Sequence, residues 1–301
     1  MKKFYPLFAL FLGLLISFSF GFWLEYMSEK TLPTFSHSGP AANKSLFPRR
    51  IFYDYPVTPN ANSDAASTTI PEPTFYDYIE VTGGCGPHFE GACLKVRRDP
   101  STASAVVGQL RTGVVLHVAS TTVTDATGIS WRRIIFDSGM RYPKRVSGDW
   151  YVAATYTRAF TDRGAEDLTP DMQVASNTKH IVIDRSSQML YAYDGDVLFL
   201  KTPVSTGLDL TPTPRGIFTV YRKTPSRYMQ GPLPGVSTQY YDLPGVPWDL
   251  YFTKEGGAIH GAYWHNSFGK QWSHGCVNLP LDTARTLYEW TPLGTSVIVR
   301  D

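Results

Sequence analysis

Beyond the first third of the chain, apolar residues recur in short bursts bounded by Gly, Pro, Asn and Asp, the pattern of β-strands closed by turns. Between residues 76 and 160 such bursts fall at 93–96, 114–118, 131–136 and 150–152. They return after Lys179, at 180–184, 189–193, 197–204, 216–221, 249–253, 257–260 and 297–299. Asp194, Gly195 and Asp196 separate two of these bursts and predict a β-hairpin. Residues 282–290 break the rule: Leu281, Ala284 and Tyr288 are spaced for one face of a helix. The pattern predicts a mostly β protein in two domains, 76–160 and 178–301, with one late helix in the second. Residues 222–247, with Pro225, Pro232, Pro234, Pro244 and Pro247, read as a long connection, either a functional lid or a plain surface loop.

The N-terminal part reads differently. Lys2 and Lys3 precede an uncharged run over residues 4–24. Positive charge followed by an apolar run is the order of an export signal, but this run exceeds the usual apolar core of about 7–15 residues and approaches the length that spans a bilayer. The expectation is an N-terminal transmembrane helix within residues 1–24, with the rest of the chain outside, because positive flanks stay inside. A cleaved signal, served by Ser19 and Gly21, is the alternative. No cysteine lies near this run, which excludes lipoprotein attachment. Residues 25–75 hold Pro33, Pro40, Pro48, Pro56, Pro59, Pro71 and Pro73 among small polar residues and predict a stiffened linker. Residues 161–177 predict a second linker.

Composition narrows the class. Apolar residues make up 43% of the 301, enough for a real core. The 28 basic and 26 acidic side chains leave a net charge of +2, which gives no reason to expect a nucleic-acid partner. Three cysteines occur, Cys85, Cys93 and Cys276. An odd count in an exported protein predicts one pair and one free thiol. Cys85 and Cys93 lie close together among Gly83, Gly84, Gly86 and Gly91, so a disulfide there leaves Cys276 alone. Two unpaired core thiols are the competing reading.

The chemistry concentrates between residues 258 and 279, where His260, His265 and His274 surround Cys276. The thiolate is the nucleophilic form, and a neighbouring imidazole, His260 or His274, could take the thiol proton. Gly275 lets the backbone N–H groups of Gly275 and Cys276 approach a reacting carbonyl and hold its oxyanion. Ser273, Asn278, Trp248 and Tyr228 are candidates for substrate binding. Trp248, Tyr228 and Trp264 are equally readable as core aromatics, and Cys276 as a buried structural thiol. A metal site is disfavoured, since the spacing fits no short zinc template. No cofactor is expected.

The run Ser273-His274-Gly275-Cys276-Val277-Asn278, preceded by His260-Gly261, resembles the signature of L,D-transpeptidases, the YkuD family. Ile183-Asp184-Arg185-Ser186-Ser187-Gln188-Met189-Leu190-Tyr191 is similar to that family's opening strand and turn. Val204-Ser205-Thr206-Gly207 and Thr211-Pro212-Thr213-Pro214-Arg215-Gly216-Ile217-Phe218 match its next two segments. Many members carry arginine where this chain has Asn278. The resemblance implies an acyltransferase with Cys276 as nucleophile, His260 as base oriented by a backbone carbonyl, and His274 at the oxyanion or substrate. It implies peptidoglycan stem peptides as substrate, a thioester intermediate and 3→3 cross-links, in the service of cell-wall organisation and cell shape. Carbapenems are implied inhibitors. With water as acceptor the enzyme would be an L,D-carboxypeptidase or wall hydrolase; an inactive wall-binding scaffold is the reading from another class. Earlier in the chain, Leu94-Lys95-Val96-Arg97-Arg98-Asp99-Pro100-Ser101, with Gly108-Gln109-Leu110 and Gly113-Val114-Val115, resembles a bacterial SH3-like domain, which implies a small barrel over 76–160. The expected location is the cell envelope, on the outer side of the cytoplasmic membrane.

Overall fold

The structure, a computed structural model, describes residues 73–301 apart from 138, 171–177 and 236. The expected anchor at 1–24, most of the expected linker at 25–75 and the end of the second linker lie outside the described residues. Among the described residues no helix is long and apolar enough to cross a membrane.

Seven strands come first: β1 (Tyr76–Val81), β2 (Leu94–Arg97), β3 (Val106–Leu110), β4 (Val115–Thr124), β5 (Ser130–Ile134), β6 (Tyr151–Ala153) and β7 (Thr157–Asp162). They form one antiparallel sheet in the order β3-β2-β6-β5-β4-β1-β7. A disulfide joins Cys85 to Cys93 beside this sheet, and Cys276 is the free cysteine.

The second linker proves partly structured. β7 runs to Asp162, and β8 (Glu166–Asp167) follows as a strand. β8 pairs with Arg222 and Lys223, so opposite charges face each other across the ladder. Then come β9 (Lys179–Asp184), β10 (Met189–Asp194), β11 (Val197–Pro203), β12 (Gly216–Thr219), β13 (Arg222–Gln230), β14 (Asp242–Tyr251), β15 (Ala258–Gly261), β16 (Val277–Leu279), the helix α1 (Leu281–Trp290) and β17 (Ser296–Arg300). They make two five-stranded sheets, β11-β10-β9-β17-β12 and β16-β15-β14-β13-β8. β10 and β11 pair from Asp194 opposite Val197, which leaves Gly195 and Asp196 as a two-residue hairpin loop.

The long connection expected at 222–247 is instead mostly strand. β13 and β14 form an antiparallel hairpin through it. Proline is tolerated there because it removes only a donor. Pro225 falls at a gap in the register, between the pairs Thr224–Asp249 and Ser226–Pro247. On its other side β14 is paired only at Leu250 and Tyr251, so Pro244 and Pro247 lie clear of that ladder.

Two apolar cores result, and both cross between the N-terminal sheet and the rest. One gathers Ile181, Leu190, Leu250, Leu279, Leu287 and Val297 with Tyr78 and Val115 of the N-terminal sheet. The other joins Ile79, Leu94, Val152 and Trp150 to Val246 and Tyr263. The close fit is visible at Gly245, where an added Cβ would stand 2.3 Å from the Val115 carbonyl oxygen.

Candidate active site

Cys276 precedes β16 by one residue and is held by a tight turn. Gly275 has φ of 117°, a backbone conformation that side chains disfavour. The Ser273 hydroxyl accepts the Gly275 N–H at 3.1 Å and donates to the Cys276 carbonyl. The Ser273 N–H donates to the Thr206 carbonyl at 3.1 Å, and Ser205 and Asn278 exchange main-chain bonds of 3.0 and 2.9 Å. Thr206 is fixed by the buried Gln188, whose amide accepts the Thr206 N–H at 2.9 Å and donates to its hydroxyl at 2.7 Å. Gly207 leaves no room for a side chain, since a Cβ would meet the Thr211 carbonyl oxygen at 2.1 Å. The motif segments around Gln188, Thr206 and Thr213 thus converge on the turn that carries Cys276, the Thr213 hydroxyl accepting the Gly207 N–H at 2.9 Å.

His260 lies on β15, paired in parallel with β16 so that His260 faces Asn278. Cys276 lies beside β15, its thiol taking a hydrogen bond from the backbone of Ala258, two residues before His260. The imidazole is 1% exposed. Its Nδ1 lies 3.0 Å from the Gly261 carbonyl; because a carbonyl only accepts, Nδ1 carries the proton and Nε2 keeps a bare lone pair. Burial pushes the His260 pKa down to about 4, the Gly261 carbonyl acting against it, and Arg227 and His265 lower it further. Burial also pushes the Cys276 thiol up, while a hydrogen bond from the Ala258 backbone and the Arg227 charge pull it down and Asp249 raises it. At rest the imidazole is therefore neutral and the thiol protonated. Among the described residues no group of three His, Cys, Asp or Glu side chains is placed to hold a metal.

The other candidate residues fall in different places. His274 donates from Nε2 to Gln239 Oε1 at 2.8 Å, and its ring stacks on Tyr241 at 5.8 Å. The Gly275 N–H, expected to face an oxyanion, is taken by Ser273; the Cys276 N–H has no hydrogen-bond partner among the described residues. Ser273 closes the turn through its hydroxyl. Asn278 turns inward to His265, 2.9 Å away. Trp248 is 4% exposed and packs between Phe160 and Tyr288. Tyr228 is buried too, its hydroxyl 3.2 Å from Asp242. Of the two readings open for these aromatics, cleft or core, the burial of both rings favours core. Trp264, half-buried, is the aromatic whose ring lies near His260, at 5.8 Å.

Several residues at the site were not singled out from the chain. Gln188 and Thr206 stand in the quoted motif segments, which was a usable signal. Arg227, Asp249, Gln239 and Tyr241 carry none, because only the β13–β14 hairpin brings them to Cys276.

Residues 178–299 match the family model described as the L,D-transpeptidase catalytic domain, YkuD. A candidate L,D-transpeptidase, YkuD, of Bacillus licheniformis is 28% identical over 122 residues, which cover 40% of this chain and 64% of that relative. The chain thus spans a little under two-thirds of the curated relative it matches. Among solved structures, an L,D-transpeptidase from Mycobacterium smegmatis is 23% identical with a TM-score of 0.40, covering 62% of this chain and 90% of that one. The catalytic domain of the E. faecium L,D-transpeptidase is 26% identical with a TM-score of 0.36, over 40% of this chain and 96% of that one. The turn that carries Cys276, the strand that carries His260 and the motif segments beneath them all fall within the matched residues, and the segment 178–299 accordingly carries a YkuD-type L,D-transpeptidase catalytic domain.

Proposed function

We propose that this chain is a peptidoglycan L,D-transpeptidase with Cys276 as its nucleophile. The observation that carries the reading is His260: Nδ1–H is committed to Gly261, which leaves Nε2 to accept a proton, and the Cys276 thiol lies against the same strand at Ala258. Nε2 takes the thiol proton as sulfur attacks the carbonyl between the L-centre and the terminal D-alanine of a tetrapeptide stem. The Cys276 N–H faces the oxyanion of the tetrahedral intermediate. The C–N bond then breaks, the D-alanine amine leaves with the proton from His260, and a thioester remains. An amine of a second stem attacks the thioester, gives its proton to His260 and forms the 3→3 cross-link, and the proton returns to sulfur. A carbapenem follows the first half of the same path: the strained β-lactam C–N bond opens and the acyl group stays on sulfur.

The setting is part of the same reading. The disulfide between Cys85 and Cys93 suits an oxidising compartment. With residues 1–24 as anchor or signal, it supports a site outside the cytoplasmic membrane, where the stem peptides are. The strand-and-turn pattern of 76–160 supports an SH3-like module ahead of the catalytic domain.

The test is product analysis on a purified disaccharide-tetrapeptide. A cross-linked dimer with release of D-alanine is expected, and Cys276→Ala should give none while folding normally. Monomer that has only lost D-alanine would make the enzyme an L,D-carboxypeptidase. His260→Ala should slow acylation by a carbapenem by about 10²–10⁴-fold at pH 7, with partial recovery at alkaline pH, where hydroxide generates the thiolate. His274→Ala should lose activity without that recovery. Equal activity of Cys276→Ala and wild type would end the proposal.

A further inference from the structure

The N-terminal sheet reaches the catalytic turn through a short path of hydrogen bonds. Between β5 and β6 the chain presents Tyr142 and Arg145. The Tyr142 N–H donates to Gln230 Oε1 at 2.7 Å, and Gln230 Nε2 donates back to the Tyr142 carbonyl at 3.3 Å. The Tyr142 hydroxyl donates to the Pro232 carbonyl at 2.8 Å. Arg145 Nη1 donates to the Gly231 carbonyl at 2.7 Å and lies 3.5 Å from the Tyr241 carbonyl. Its guanidinium sits over the rings of Tyr142 and Tyr240, at 4.1 and 4.4 Å.

Both anchors grip the same closure at the end of the β13–β14 hairpin. There the Gly231 N–H donates to the Tyr241 carbonyl at 2.9 Å. Gly231 allows this because a Cβ would stand 2.3 Å from the Tyr241 ring. The far side of Tyr241 stacks on His274, and Gln239 accepts the His274 Nε2–H. His274 immediately precedes Gly275 and Cys276. Its ring has no other hydrogen-bond partner among the described residues, so its orientation depends on Gln239 and Tyr241.

We propose that Arg145, with Tyr142, is a positioning residue for the transpeptidase site: it holds the Gly231–Tyr241 closure that orients His274. The N-terminal sheet is then part of the catalytic machinery, acting through His274, and not a spacer alone. The guanidinium suits this task because it satisfies carbonyl groups and stacks on rings at once. The inference rests on the reading of Cys276 and His274 as a transpeptidase site.

The test compares Arg145→Ala, Tyr142→Phe, His274→Ala and the double variant Arg145→Ala/His274→Ala in the full chain. Arg145→Ala should slow acylation by imipenem about 10- to 100-fold, the cost of a misplaced group near the reacting atoms. Alkylation of Cys276 by iodoacetamide, which needs the thiolate but no contact from His274, should stay at the wild-type rate and shows that the fold and nucleophile are intact. The double variant should be no slower than His274→Ala, because the two residues act in series. Additive losses, or no loss in Arg145→Ala, would overturn the proposal. If Arg145→Ala does not fold, Tyr142→Phe removes a single hydroxyl from the closure and should show a smaller loss of the same kind; a wild-type rate there would count against the closure. Nitrogen NMR of the His274 ring is a readout independent of catalysis: the Nε2–H tautomer should give way to a tautomer mixture in Arg145→Ala, and an unchanged ring would refute the mechanism. A wild-type chain that imipenem does not acylate, with a His274 ring that still responds, would sink the transpeptidase reading and leave the positioning of His274 by Arg145 standing.

Discussion

Asp249 shows what a single side chain can cost. It is 0% exposed, and neither carboxylate oxygen has a hydrogen-bond partner among the described residues. Burial pushes its pKa well above the usual carboxylate range, Arg227 acting against this and Asp137 with it. The unfolded chain releases the proton near pH 4, while the native state keeps it. Above that point the native state binds more protons than the unfolded one, so Asp249 lowers stability as pH rises through the window up to its folded pKa. Asp249→Asn should therefore raise Tm, and by more at pH 8 than at pH 5; a lower Tm at pH 8 would contradict the assignment. His260 works in the other direction. Its imidazole stays neutral down to about pH 4, so the base is available far into the acid range. Carbapenem acylation by the wild-type chain should persist to about pH 5, whereas loss with an apparent pKa near the ordinary ~6.5 would indicate a solvated histidine.

Among the elements, the disulfide loop and the β13–β14 hairpin differ in what they require. Cys85 and Cys93 are 8 residues apart, and their bond ties the loop after β1 to the start of β2. Cross-linking so short a loop stabilises by about 2.5 kcal/mol in the chain-entropy model. Cys85→Ala/Cys93→Ala should lower stability by up to that amount in urea titration, while imipenem still acylates Cys276, which lies in the turn before β16. Unchanged stability, or a folded variant that no longer reacts, would contradict this. The β13–β14 hairpin depends instead on context. Its strands stay paired past Pro225, Pro244 and Pro247, with one register shift between Arg227 and Met229, because those prolines fall where no ladder bond is needed.

Taken whole, the described residues form a molecule in which neither the N-terminal sheet nor the catalytic sheets keep a core to themselves. Tyr78 and Val115 belong to the core under α1, and Val246 and Tyr263 belong to the core of the N-terminal sheet. Ser226 donates to the Val115 carbonyl at 2.6 Å, and Arg285 lies 3.6 Å from Glu80. Calorimetry should show one cooperative transition for both parts. Gly245→Ala should lower that single transition by about 4 °C or more, since φ there is 63° and the new Cβ meets the Val115 carbonyl oxygen. Two separate transitions in the wild type would show that the parts fold independently.

Much of this is written in the chain itself. The strand bursts from Lys179 onward, the two-residue turn at Gly195 and Asp196 and the late helix follow from local periodicity, because neighbouring residues alone decide which face an element buries. The run around Cys276 and the upstream His260 also stands out in the chain, because three histidines and the free cysteine fall within residues 258–279. What lay beyond it are the facts that depend on residues far apart in sequence. Prolines hid β13 and β14, since a missing N–H matters only if a partner strand lies on that side. Trp248 and Tyr228 were readable in the chain as cleft or core aromatics, because an aromatic ring suits either place, and only tertiary packing buries both. Arg145 meets Gly231 across 86 residues of chain, and Asp249 is deprived of partners by strands that surround it. In each case the deciding quantity, burial or the identity of a facing neighbour, exists only once the chain has folded.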